Sequence, residues 1–237
     1  MRKARGFTLI ELAIVLVILT VIAGGLLVPL TKRIEMQRYE DTRKLLDLAQ
    51  AALIGYTMSN RISGSNRSYL PCPDINQDGV EDRTGDSCSQ QQGRLPWVTL
   101  GLNSLDAWGN HIDYAVHDDF SDKSPAKGIS NSTKGDFRIC AISSNCSGVN
   151  LLAEKIPFIV LSRGPNGKGA LSANGTLIAW APATTSADEN ENLNNGSTYV
   201  SRPPTPAESA LGEFDDLVVW LSTPALLARI CPAGGCP

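Results

Sequence analysis

Glu11 is the single ionisable side chain between Phe7 and Leu30. A carboxylate inside an apolar run costs roughly 2.5 kcal/mol or more in lipid unless it finds a partner, so its natural chemistry there is charge pairing. A second set of oxygen-bearing side chains lies in Asp74-Ile75-Asn76-Gln77-Asp78-Gly79-Val80-Glu81-Asp82. Asp74, Asn76 and Asp78 at alternate positions, glycine at the sixth and Val80 at the seventh follow the first half of an EF-hand loop, which predicts calcium. Gly85 stands where that loop carries its bidentate glutamate, so Asp82 or Asp86 would have to substitute. Asp, Asn and Gly also suit a solvated turn, the simpler reading of the same residues.

Six cysteines fall into sequence-local pairs: Cys72 with Cys88, Cys140 with Cys146, and Cys231 with Cys236. None has the Cys-x-x-Cys spacing of zinc ribbons or redox sites, and an even count predicts disulfides in an oxidising compartment. Fifteen connectivities are open to six cysteines. The local one is expected, because a short polar loop separates each pair. Enzymatic constellations are thin. His111 and His117 belong to no zinc motif, and the chain has neither a Gly-x-Ser-x-Gly elbow nor a Walker loop. Gly164-Pro165-Asn166-Gly167-Lys168-Gly169 lacks the hydroxyl residue of a phosphate loop and reads as a turn.

The elements that must position these residues follow from periodicity. At about 1.5 Å per residue, Phe7 to Leu30 spans roughly 36 Å, enough to cross a hydrocarbon core of about 30 Å. Gly24, Gly25 and Pro29 predict a kinked or melted stretch within it. From Thr31 to about Asn60 the helix continues as an amphipathic one. Thr42, Leu45, Leu46, Ala49, Ala52, Leu53 and Tyr56 form its apolar face, with Arg43, Lys44 and Asp47 between them. Residues 61–92 are polar loop. Short apolar stretches at 95–102, 112–116, 137–142, 156–161, 176–180 and 217–221 predict strands, and 224–230 a short helix. Residues 184–206 form a second polar stretch. Trp108 and Trp220 read as core or sheet residues, and Trp97 and Trp180 as buried or interfacial.

The composition, 42% hydrophobic and 19% charged, is that of a globular protein rather than a disordered one. Net charge is -3, and removing the three basic residues before Gly6 leaves 18 against 24, or -6. That acidity argues against general nucleic-acid binding. Arg2, Lys3 and Arg5 place the N-terminus on the cytoplasmic side of a membrane.

The junction Gly6-Phe7-Thr8-Leu9-Ile10-Glu11, between this basic leader and the apolar run, resembles the signal of type IV pilins and type II secretion pseudopilins. The resemblance implies cleavage after Gly6 by prepilin peptidase, N-methylation of Phe7, and pairing of Glu11 with the N-terminal ammonium of a neighbouring subunit during assembly. The family's proline falls one place earlier than Pro29. A secretory signal would be cut after its apolar region, whereas this junction precedes that region and keeps the anchor.

Three later segments resemble the major pseudopilin of type II secretion: Asp106-Ala107-Trp108-Gly109-Asn110, Ile159 to Gly167, and Asp215-Asp216-Leu217-Val218-Val219-Trp220. The family's versions read approximately Asp-Pro-Trp-Gly-Asn, Tyr-Ser-x-Gly-x-Asp-Gly and Asp-Ile-x-x-Trp. The resemblance implies a calcium ion held by Asn166, in place of an aspartate, and by Asp215 or Asp216, with carbonyls around Leu161 to Gly164.

Together these readings predict an α+β, pilin-like fold, with a long N-terminal helix on an antiparallel sheet and disulfide-stapled loops. Residues 1–6 are the leader, 7–30 the transmembrane and filament-core helix, 31–60 its amphipathic continuation, and 61–237 a periplasmic domain. The expected function is that of a structural subunit, minor or specialised, of a type II secretion pseudopilus or type IV pilus. It would sit in the cytoplasmic (inner) membrane and then in the filament. Its expected partners are other pilin subunits, the peptidase, an inner-membrane assembly platform and the membrane; calcium is the one cofactor implied. The alternatives are a minor pilin that binds DNA, surfaces or secreted substrate, and a membrane-anchored enzyme with a deep polar pocket around His111 or His117.

Overall fold

The computed structural model describes residues 8–182, 185–231 and 236, with backbone alone for residues 23–30. The chain divides into two compact units, Met1–Glu40 and Asp41–Pro237. In chain order the elements are α1 (Leu9–Ser59), β1 (Arg83–Thr84), β2 (Ser87–Cys88), β3 (Gln92–Arg94), α2 (Trp97–Leu100), β4 (Asp113–Val116) and α3 (Asp118–Ser121). There follow β5 (Phe137–Cys140), β6 (Leu151–Ile156), β7 (Phe158–Ser162), α4 (Ala187–Leu193), β8 (Thr198–Val200), β9 (Leu217–Trp220) and α5 (Thr223–Ile230).

In the first unit α1 runs on as a helix through Gly24 to Pro29, where a melted stretch is predicted. The helical turns on either side outweigh one missing proline N–H. The described apolar side chains from Leu9 to Ile22 are exposed. Among the described residues no helix is long and apolar enough to cross a membrane.

In the second unit Thr42, Leu46, Ala49, Leu53 and Thr57 are buried along one face of α1. Their spacing of three or four residues puts them on one stripe, as the sequence pattern predicts. Leu46, Ala49 and Leu53 join Tyr114, Phe120 and Val160 in one core, together with Leu226 and Ile230 of α5. A fully buried leucine contributes roughly 1.5–3 kcal/mol, so this stripe is what holds the helix to the sheet.

The sheet order is β3-β4-β7-β9, antiparallel throughout. The register aligns Arg94, Asp113, Leu161 and Val218 in one row and Gln92, Ala115, Ile159 and Trp220 in the next. Strand side chains alternate faces, so Tyr114, Val160 and Val219 turn to the helices while these two rows face the other way. That second face packs Ala115, Ile159, Leu161 and Val218 against Phe137, Ile139, Ile156 and Tyr199 of a second sheet, β6-β5-β8. There β5 and β6 are antiparallel and β5 and β8 parallel. Burial on both faces explains the continuous apolar run of β7, all of whose residues are buried.

The three disulfides are the local ones: Cys72–Cys88, Cys140–Cys146 and Cys231–Cys236. Several predicted elements take another form. The stretch 95–102 is the short helix α2 rather than a strand, since Pro96 stands just before it and Gly101, left-handed at φ 68°, closes it. Residues 176–180 form no strand and contribute only the bridge Leu171–Leu177. The polar stretch 184–206 contains α4, whose N-cap Ser186 accepts a hydrogen bond from Glu189 N–H at 3.2 Å, and also β8.

Candidate functional site

Gly6 and Phe7, the predicted processing residues, lie outside the described residues. Immediately after them the helix opens on a capping box. Thr8 Oγ1 accepts from Glu11 N–H at 3.3 Å, while Thr8 N–H and O–H donate to Glu11 Oε2 at 2.8 and 2.7 Å. Thr8 therefore caps α1, and Glu11 is held at its first turn. The threonine is missing from the sequence prediction, though Thr-x-x-Glu before an apolar run is the capping signature. Glu11 thus has a partner within its own chain, in addition to any partner on a neighbour.

The Asp74 loop turns its oxygens inward. Asp74 accepts from Gln77 N–H at 2.7 Å and Gly79 N–H at 2.8 Å, Asn76 Oδ1 from Asp78 N–H at 3.0 Å, and Asp78 Oδ1 from Val80 N–H at 2.8 Å. Asp82 accepts from Ile75 N–H at 2.7 Å. The Asn76 amide nitrogen donates to Asp78 at 3.1 Å and Asp82 at 3.3 Å, standing where a cation would have to gather the same oxygens. Burial raises Asp74 above the usual carboxylate range. Glu81, missing from the predicted ligands, is a hub. It accepts from Tyr56 O–H at 2.8 Å, Cys72 N–H at 2.9 Å and Arg83 Nε at 2.9 Å.

The fold brings the three later segments together. Ser162 Oγ donates to Asp106 Oδ2 at 2.7 Å, and Trp108 and Asn110 N–H donate to Asp106 Oδ1, both at 2.9 Å. Asn166 N–H donates to Asp215 Oδ2 at 2.9 Å. Gly164, at φ 61°, is pressed against the Asp215 carbonyl, so no side chain fits there. Lys168 bridges Glu189 at 3.4 Å and Glu213, and Asn166 Nδ2 donates to Glu189 at 3.0 Å. Asp215 Oδ1 is buried without a hydrogen-bond partner among the described residues. Burial, with Asp216, Glu189 and Glu213 nearby, pushes Asp215 up to about 8. Burial also pushes Asp216 up to about 6, against the pull of Arg163 and Asn192.

Among the described residues no group of three or more His, Cys, Asp or Glu side chains is placed to hold a metal ion. At the first place predicted for calcium an N–H donor, Asn76 Nδ2, faces Asp78 and Asp82; at the second, Lys168 Nζ pairs with the neighbouring Glu189 and Glu213 and not with the predicted Asp215. As arranged, the Asp74 loop does not fit a divalent cation, because the Asn76 amide nitrogen occupies the place between Asp78 and Asp82.

A basic leader, a junction glycine and a capped apolar helix with glutamate in its first turn define a prepilin-type N-terminus. The model of the prokaryotic N-terminal methylation motif matches residues 1–27, and the chain carries the prepilin-type signal of type IV pilins and pseudopilins. No curated protein and no solved structure matches the chain. The signal marks a pilin- or pseudopilin-like precursor and points to a structural subunit rather than an enzyme. It also implies processing by prepilin peptidase, assembly with other pilins, and a membrane-anchored or filament-assembled product.

Proposed function

We propose that the chain is a minor or specialised subunit of a type II secretion pseudopilus or type IV pilus. It is cut after Gly6, methylated on Phe7, held by Phe7 to Leu30 in the cytoplasmic membrane with the domain in the periplasm, and drawn into a filament through α1. The observation that carries this reading is the methylation motif over residues 1–27, the span that contains Gly6, Phe7 and Glu11. The exposed apolar side chains from Leu9 to Ile22 support it, since helix packing in a filament or lipid would cover them. Glu11 then sets axial register by exchanging Thr8 for a neighbour's ammonium. In this reading Asp78 and Asp82 are served by the Asn76 amide nitrogen, and Glu189 and Glu213 by Lys168, so these four carboxylates need no calcium.

The test is the intact mass of the protein purified from its native membrane. Loss of residues 1–6 with one added methyl group is expected. An uncut chain, or one cut after the apolar run, would overturn the assignment.

A further inference from the structure

Between the second face of the four-stranded sheet and the segment from Gly169 to Tyr199 lies a cavity of about 380 Å³. This is within the size of small-ligand sites, roughly 300–1,000 Å³. The cavity lies wholly within the second unit and does not depend on how the N-terminus is processed. Neither histidine lines it, so it is not the pocket that the enzyme alternative requires.

Its chemistry is mixed. Ala115 and Ile159 give an apolar floor, and Trp180, 36% exposed, stands at the rim. Along one side Asp113 is shared by two guanidinium groups, Arg94 through Nη1 and Arg163 through Nε, the latter at 2.7 Å. The other guanidinium nitrogens of Arg94 make no hydrogen bond among the described residues. Tyr199, 5% exposed, also lines the cavity, and its hydroxyl makes no hydrogen bond among the described residues. Burial raises Tyr199, so it remains an O–H donor at neutral pH. The Tyr199 hydroxyl, without a partner among the described residues, is not fully buried, so it is a donor that a ligand can take in place of water.

Charge selects the ligand class. The two arginines are set against Asp113 and Asp216, leaving no surplus to attract an anion. The remaining carboxylate, Asp74, is occupied by the N–H groups of its own loop, so nothing there calls for a cation. What remains is a neutral site with unused donors, a planar Arg–Asp pair and a part-exposed indole in its lining. Planar paired polar groups match vicinal hydroxyls, and an indole face matches the C–H face of a pyranose ring.

We infer that this cavity binds a neutral saccharide, its ring laid on Trp180 and its hydroxyls taken by Tyr199 and Arg94. The full chain, held in lipid nanodiscs free of sugar-based detergent, would be titrated with glucose, galactose, N-acetylglucosamine and their disaccharides. Tryptophan emission and saturation-transfer NMR would be read together. Saturable binding of at least one of these sugars is expected. Tyr199→Phe should weaken it about tenfold, the effect of one lost hydrogen bond, and Trp180→Ala, a change at the exposed rim, should weaken it at least as much. Both variants should keep the parent's unfolding temperature. The inference is overturned if no sugar in the set binds saturably, if binding survives both substitutions unchanged, or if glucuronate or inorganic phosphate binds in preference to the neutral sugars.

Discussion

Tyr56 donates its hydroxyl to Glu81 Oε1 at 2.8 Å, joining the last turns of α1 to the loop enclosed by the Cys72–Cys88 disulfide. The other Glu81 oxygen takes the Cys72 N–H and the Arg83 Nε. Arg83 in turn donates to the Leu70 and Ser121 carbonyls, so one carboxylate orients a helix, a disulfide and two strand connections.

Removing that carboxylate should therefore cost more than a surface substitution. Glu81→Ala leaves a part-buried guanidinium, an N–H and a hydroxyl without their acceptor, which predicts a loss of about 2 kcal/mol. Tyr56→Phe removes one bond alone and should cost about 1 kcal/mol. Denaturant unfolding of the full chain measures both, and an effect of Glu81→Ala no larger than that of Tyr56→Phe would refute the hub.

The disulfides should differ in weight. Cys72–Cys88 closes a separation of 16 residues, against 6 and 5 for the other two. Loop-closure entropy then predicts about 3 kcal/mol for the longer loop. Replacing Cys72 and Cys88 together by serine should lower the unfolding midpoint more than replacing Cys140 with Cys146. The reverse order would show that strain or denatured-state structure governs instead.

How much of this was legible beforehand follows the range of the interactions involved. The stripe from Thr42 to Leu53 and the strands β4, β5, β7 and β9 follow local pattern and were readable, whereas the buried Thr57 at its end lies outside the predicted face. Leu95 to Leu102 looked like a strand because its apolar residues are contiguous, yet Pro96 and Gly101 bound a helical turn. The Thr8–Glu11 box was available in the sequence, since both partners lie within four residues. The second sheet was hidden because β8 pairs in parallel with a strand nearly sixty residues earlier. The cavity was hidden for the same reason, its wall joining Arg94, Asp113, Trp180 and Tyr199 from four separate segments. Asp215 and Asp216 are legible as an acidic pair, but Glu189 and Glu213, and the Lys168 that pairs with both, come from segments that carry no local signal of their meeting.

The N-terminal residues can be separated by role. Gly6→Ala should block cleavage, seen as a precursor of unchanged size. Glu11→Ala should leave processing and insertion intact while reducing filament assembly. Thr8→Val removes the cap, a loss of about 1 kcal/mol at the helix start, but keeps the Glu11 charge, so assembly should persist. If Thr8→Val abolishes assembly as fully as Glu11→Ala, intersubunit charge pairing by Glu11 is not the operative interaction.

Lys168 should make calcium unnecessary for the buried Glu189 and its neighbour Glu213. Calorimetric titration of the full chain with millimolar calcium should give no heat, and chelators should leave the unfolding temperature unchanged. Lys168→Met strips the counter-charge from Glu189, a side chain only 2% exposed, and should destabilise by several kcal/mol. Calcium heat in the parent protein would show that an ion displaces the ammonium.

Stability should fall as pH rises from about 4 to 8. Asp215 and Asp216 have folded-state values of about 8 and about 6, both raised by burial above the unfolded value near 3.9. Between the two limits the native state holds more protons than the unfolded state, so the slope of unfolding free energy with pH is negative. Each group contributes up to about 1.4 kcal/mol per pH unit, Asp216 until about pH 6 and Asp215 until about pH 8. Their contribution is fully present below pH 4 and gone above 8. Asp215→Asn keeps the acceptor for Asn166 and abolishes the titration, so it should flatten the curve between pH 6 and 8 and stabilise the protein at pH 8. A parent curve flat from pH 6 to 8, or one that Asp215→Asn leaves unchanged, would show that the buried Oδ1 is ionised and neutralised by a partner.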